Sequence, residues 1–180
     1  MRPRTTELLA HLDRHHAELR RAVDAVPVAL RARQPAPDRW SVANVLEHVA
    51  IVETRVVRAL SERLAQARAE GLPPGADAPV VREADVARYL NRERRIVASG
   101  AAQPQGHLTA EAAWAAIDRA RGSTRALVIE TDGLAVEAVV FPHPVLGSLD
   151  FYQWVVFLGG HEGRHALQIR ETGRFLSEAP

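Results

Sequence analysis

WVVFLGGHEGRHALQI, residues 154–169, decides how this chain of 180 residues is read. On an α-helix, positions four apart project from one face a turn above each other, so His161 and His165 offer two imidazoles to one point. The same face runs back through Leu158 and Trp154 and forward to Gln168, a mostly apolar stripe directed at a core. Two histidines there fit a shared divalent ion, and they equally fit two core rings satisfied by backbone carbonyls or carboxylates. The stretch also spells H-E-x-x-H, the zinc-protease signature in which Glu162 would be the general base. That reading lacks its third ligand. The position six residues past the second histidine holds Glu171, only fifteen residues follow His165, and the glycine expected at 168 is Gln168.

Outward from this stretch the chain reads as helices. Leu8, Leu12, Leu19, Val23 and Val26 recur at helical spacing after Thr5 and Thr6, which predicts a first helix over about 6–25 and a short piece from Pro27. His11 and His15 on that helix are also four apart, but they sit with Glu7, Arg14 and Glu18 off the apolar stripe and are expected in solvent. His16 lies in register with Leu12 and Leu19 and is expected to face the interior, as a core ring or a pocket wall. Ser41 can cap a long helix to about Glu70, with Trp40 packing on Val45 as a hydrophobic staple. His48 lies in its first two turns, close to the apolar stripe. Gly71, Pro73 and Pro74 stop it.

Residues 71–108 form a long irregular connection between the second and third main helices, with a short helical segment around 84–96. Thr109 caps a third main helix that Gly133 ends. A brief extended piece fits before Pro142 and Pro144, and Ser148 is expected to start a last main helix running to Gly173. His143, between prolines, is expected to shape the entry to that helix. Four principal helices without a convincing set of strands predict an all-α four-helix bundle, one domain over residues 1–180.

Composition narrows the function. Lys and Arg number 23 against 22 Asp and Glu, a formal net charge of +1, which argues against nucleic acid or an anionic membrane as the main partner. There is no cysteine, so a thiolate metal site is excluded and any thiol chemistry must import its thiol. No segment reaches the roughly 20 apolar residues of a membrane span, and no secretory apolar core precedes the first helix, so a soluble cytoplasmic protein is expected.

Trp40-Ser41, then Leu46-x-His48, then His143-Pro144-x-Leu146-Gly147-x-Leu149, Trp154, and finally His161-Glu162-x-Arg164-His165-x-x-Gln168-Ile169 resemble, in order and separation, the DinB-like (DinB/YfiT) superfamily. The resemblance covers nearly the whole chain. It implies a four-helix bundle, often a homodimer, with a divalent metal on three histidines: one on the second helix and an H-x-x-x-H pair on the last. Carried over residue by residue, the ligands are His48, His161 and His165. Three neutral imidazoles leave an ion its full charge and an open position, the arrangement of a catalytic site. Zinc, nickel, iron and manganese all accept imidazole. Similar proteins include metal-dependent hydrolases and enzymes that transfer a low-molecular-weight thiol to an electrophile or isomerise with its help. The resemblance thus implies a small-molecule substrate and water or a thiol activated at the metal. Beside it Glu162 is a candidate base or an acceptor for an imidazole N–H, Gln168 and His16 candidate pocket-lining residues, and Arg164 a structural partner or a contact for a substrate carboxylate. A non-catalytic, stress-associated dimeric module with a relic or sensor metal site is the rival expectation.

Overall fold

Ser41 begins the longest helix. Its hydroxyl accepts the Asn44 N–H at 3.1 Å while the Asn44 side-chain oxygen accepts the Ser41 N–H at 3.2 Å, a reciprocal capping box. Trp40, just outside, packs against the cluster that contains Val45. In the computed structural model, which describes residues 1–93, 98 and 100–178, this helix is α2, Val42–Glu70. It follows α1, Pro3–Asp24, which starts three residues earlier than expected because proline suits a first helical turn. A short 3-10 turn, Val28–Leu30, lies between them. Then come α3, Glu83–Leu90, α4, Ala110–Glu130, and α5, Phe151–Glu178. The expected end of the α3 segment at Ile96 lies outside the described residues. Thr109 caps α4 by accepting the Ala112 N–H at 3.2 Å. Among the described residues no helix is long and apolar enough to cross a membrane.

The start of the last helix differs from expectation. Ser148 lies in a strand: β1, Val140–His143, pairs antiparallel with β2, Gly147–Asp150. Pro142 fits because a two-stranded ribbon leaves each strand an open edge where a missing N–H is harmless. Asp150 starts α5, accepting the Gln153 N–H at 2.8 Å while Gln153 Oε1 accepts the Asp150 N–H at 2.9 Å. Nor does Gly173 stop α5. It lies where a Cβ would come within 2.9 Å of Val26, so this glycine admits a close neighbour rather than a chain reversal.

The directions of the helices follow from which residues share an apolar cluster. Leu8 and Leu12 of α1 pack with Val56, Leu60 and Leu64 of α2, Val128 of α4 and Phe151 to Leu158 at the start of α5. Leu19 and Val23 pack with Val42 and Val45, with Ala113 and Ile117, and with Ile169. Thus α1 and α5 run one way, α2 and α4 the other. α1 packs on α5 and α4, and α2 packs on α4 and α5, giving a four-helix bundle. Because α2 and α4 are parallel, the chain must travel the length of the bundle between them. That requirement accounts for the long irregular connection, and α3 within it lies on α5.

His11 and His15 are the main correction at this level: they are 1% and 3% exposed, not solvated. Their room comes from α5, where a Cβ on Gly159 would lie 2.3 Å from His11 Nε2 and one on Gly163 would lie 2.6 Å from His15 Nδ1. His11 Nε2 donates to the Val156 carbonyl at 2.9 Å, and His15 Nδ1 pairs with Glu18 at 3.0 Å. Gly159→Ala is therefore expected to destabilise the fold by about 1–3 kcal/mol through overpacking. Gly122→Ala, exposed on α4 with nothing within 4 Å, should stabilise by about 0.5–1 kcal/mol. Denaturant titration of both variants checks the contrast, and equal midpoints would contradict it.

Burial, with the charges of His15, Arg14 and Arg121, outweighs the bond to Val156 and lowers the His11 pKa from 6.5 to about 4. The unfolded chain takes up this proton near pH 6.5, the folded chain only near 4. Stability contributed here is therefore complete above pH 6.5 and is lost as pH falls toward 4, by about 3 kcal/mol. His11→Gln, which retains a donor for the carbonyl, should flatten the stability curve over that window. An unchanged pH slope in urea titrations would refute this.

Candidate metal centre

His48 enters the interior from α2, and His161 and His165 from facing turns of α5. His48 Nε2 lies 3.2 Å from His161 Nε2, and His165 Nε2 lies 3.1 Å from the same atom. The donor atoms of the three rings all fall within 4.8 Å of one another, and all three residues are buried. The outer nitrogens explain the aim. His48 Nδ1 donates to the Ala102 carbonyl at 2.6 Å, and His165 Nδ1 donates to Gln168 Oε1 at 2.9 Å. Each of these rings therefore turns an unprotonated Nε2 toward His161.

The fit to a cation can be tested on these atoms. Imidazoles about 2.05 Å from a tetrahedral ion stand about 3.3 Å apart, close to the 3.2 and 3.1 Å by which His161 Nε2 is separated from those of His48 and His165. Without an ion His161 Nε2 faces two lone pairs and can donate to only one, while His161 Nδ1, buried with no partner among the described residues, is unaffected by a cation on the other nitrogen. A cation accepting three lone pairs resolves the conflict. Protonation does not, because burial holds His48 below the ordinary imidazole value and, with the neighbouring histidines, holds His161 and His165 well below it. Neutral imidazole is the ligand form.

The crossover from α2 to α4 closes over this site. Glu47, buried beside His48, accepts the N–H groups of Gly106 and His107 at 2.8 and 3.2 Å, and Arg55 donates to the Ala101 carbonyl at 2.7 Å. Gly106 has φ +73°, a conformation that glycine takes without strain. Aromatic rings line the flanks: Trp40 lies 5.0 Å from His48, and Phe157 lies 5.2 Å from His161. His143 packs on Phe157 and accepts the Val145 and Leu146 N–H groups on Nδ1, which fixes the turn before α5.

The structure does not bring Glu162 to the three imidazoles. One residue along a helix is a rotation of about 100°, so Glu162 points from His161 into the middle of the bundle. There its Oε1 bonds Arg121 at 2.8 Å and His16 Nδ1 at 3.0 Å, and Arg121 also reaches Glu53 at 3.0 Å. Glu53 and Glu162 are fully buried. Burial, reinforced by the Glu162 charge, pushes Glu53 well above the carboxylate range despite Arg121. Burial works against Glu162 too, but Arg121 and His16 hold it low. The two carboxylates are thus shifted in opposite directions, Glu53 toward the protonated form and Glu162 toward the ionised form against Arg121. His16 is half-buried and bridges Glu162 to Asp118, whose oxygen lies 3.0 Å from His16 Nε2. Burial disfavours its charge, yet the two carboxylates raise its pKa. Glu53 and Arg121 escaped the sequence reading. Their signal was a charged residue on an apolar helical stripe, between Val49 and Val56 on α2 and between Ile117 and Val128 on α4.

Gln168 fixes the ring of His165, so Gln168→Ala should weaken metal binding about 10–100-fold while leaving one site per chain. Competition titration against a chromophoric chelator reads this directly. Unchanged affinity would remove Gln168 from the site.

Residues 11–169 match the family model described as the DinB superfamily. The chain is also similar to "Uncharacterized protein YuaE" of Bacillus subtilis (strain 168), 25% identical over 147 residues, 82% of this chain and 85% of that protein. No solved structure gives a significant match. The family match spans α1 to the last ligand turn and includes all three converging histidines, so the chain belongs to the DinB superfamily.

Proposed function

We propose that the protein is a divalent-metal-dependent enzyme that activates water or a low-molecular-weight thiol on its three-histidine site, for hydrolysis or thiol transfer on a small molecule. The observation that supports this is the convergence of the His48, His161 and His165 Nε2 atoms, with two of the outer nitrogens already engaged. When bound, zinc or nickel, or alternatively iron or manganese, supplies a Lewis acid that lowers the pKa of a coordinated water or thiol. The chain's own residues do the rest. Ala102 and Gln168 hold two imidazoles in their ligand tautomers. Three uncharged donors leave the cation its full charge for an anionic fourth partner. The crossover and the aromatic rings limit water around the site, which strengthens every electrostatic contact inside. With no cysteine in the chain, a thiol nucleophile arrives from outside. The proposal places this chemistry in a cytoplasmic homodimer.

Metal analysis of purified protein is expected to give one equivalent per chain with an exchangeable ligand position. A screen of small thiols and of water against reactive electrophiles should give turnover that disappears, along with the metal, in His48→Ala combined with His161→Ala. Turnover that survives both substitutions would overturn the proposal.

A further inference from the structure

Asp13, His16 and Arg20 share one face of α1 at helical spacing, and each meets a residue of the antiparallel α4. Asp13 pairs with Arg125, His16 Nε2 lies 3.0 Å from Asp118 Oδ1, and the Arg20 guanidinium stands 5.0 Å over the Trp114 ring. The partners fall at 125, 118 and 114, in descending order as antiparallel helices require. Imidazole alone among these side chains ordinarily changes charge near neutral pH.

His16 also reaches inward, where its Nδ1 lies 3.0 Å from Glu162 Oε1. A neutral imidazole has one N–H and can donate to one of these carboxylates, whereas an imidazolium donates to both. The ring lies 4.9 Å from that of Trp114, tilted by 30°, and an indole face favours a cation. Burial works against the charge, as does Arg121 of α4, but Glu162 and Asp118 outweigh them and raise the His16 pKa. On α1 itself Asp13 and Arg20 flank the ring a turn away on either side, and Glu53 of α2 stands behind Arg121. The two acceptors differ in what they lose when the ring gives up a proton. Glu162 is fully buried, whereas the Asp118 side chain is 50% exposed and exchanges its bond for water. The remaining N–H therefore stays with Glu162.

We propose that His16 is a protonation-controlled latch between α1 and α4: its imidazolium ties Asp118 at the surface to Glu162 in the interior, and loss of its proton frees Asp118. This side of the seam is then left to the Asp13 and Arg125 pair and to Arg20 on Trp114. A folded-state pKa raised above the unfolded 6.5 makes the contribution of the latch complete below pH 6.5 and removes it as pH rises through the folded value. His11 acts on the acid side of the same pH, so the two histidines limit the stability of the bundle from opposite directions.

Histidine ring resonances followed by NMR against pH test this, with His16 identified by the signal that disappears in His16→Gln. Its midpoint is expected above 6.5 and should move down in Asp118→Asn, which keeps the shape of the side chain and removes its charge. Urea titrations then separate a latch from a merely structural contact. Asp118→Asn should lower stability below the His16 midpoint and match the unaltered protein above it, where the bond is already lost. His16→Gln, which donates one N–H and does not titrate, should remove the decline in stability across that midpoint. Asp118→Asn changes an exposed position, so it decides the question if His16→Gln does not fold. A His16 midpoint at or below 6.5, a midpoint unmoved by Asp118→Asn, or a cost of Asp118→Asn that is the same at every pH overturns the inference.

Discussion

Arg121 is the point on which the bundle depends. Each of the four long helices delivers polar side chains to the same level, between the two apolar clusters: His16 from α1, Glu53 from α2, Arg121 from α4, Glu162 from α5. A guanidinium 4% exposed between two fully buried carboxylates is tolerable only if the charges balance. The opposed shifts favour that balance: burial and the Glu162 charge favour a proton on Glu53, whereas Arg121 and His16 favour an ionised Glu162. Such a cluster adds less stability than apolar side chains of the same volume would. Removing one partner, however, strands a buried charge at a cost of about 3–5 kcal/mol. The cluster therefore fixes how α2, α4 and α5 are rotated about their own axes.

That rotation aims the three histidines. His161 and Glu162 are neighbours on α5, so a turn of the helix that satisfies Glu162 on Arg121 also presents His161, and His165 above it, toward His48. On α2, Glu53 holds the corresponding angle for His48, five residues earlier. The ion cluster and the three-histidine site share these helices, so a loss of register in one would displace donors in the other.

The bundle and the cap at Ser41 were legible because they rest on periodicity and local spacing, and His161 with His165 because they sit four apart on one helix, whereas His48 joined them only through the family resemblance. What was not legible rests on contacts between helices. Glu162 reads as part of H-E-x-x-H, but only the partner on α4 shows which way it faces. His11 and His15 read as solvated because Glu7, Arg14 and Glu18 surround them. Their burial depends on Gly159 and Gly163 of α5, residues that in isolation merely weaken a helix. Ser148 has the composition of a helix start, and only the pairing of residues 140–143 with 147–150 makes it part of a strand.

The carbonyl that orients His48 belongs to Ala102, 54 residues away on the crossover rather than on either ligand-bearing helix. Parallel neighbours make that crossover obligatory, so the bundle has turned a topological necessity into part of what orients the candidate metal site. Insertions and deletions accumulate in such connections far more readily than in packed helices. A change in the length of that surface segment can thus re-aim the His48 ring while all three histidines and every core residue stay as they are.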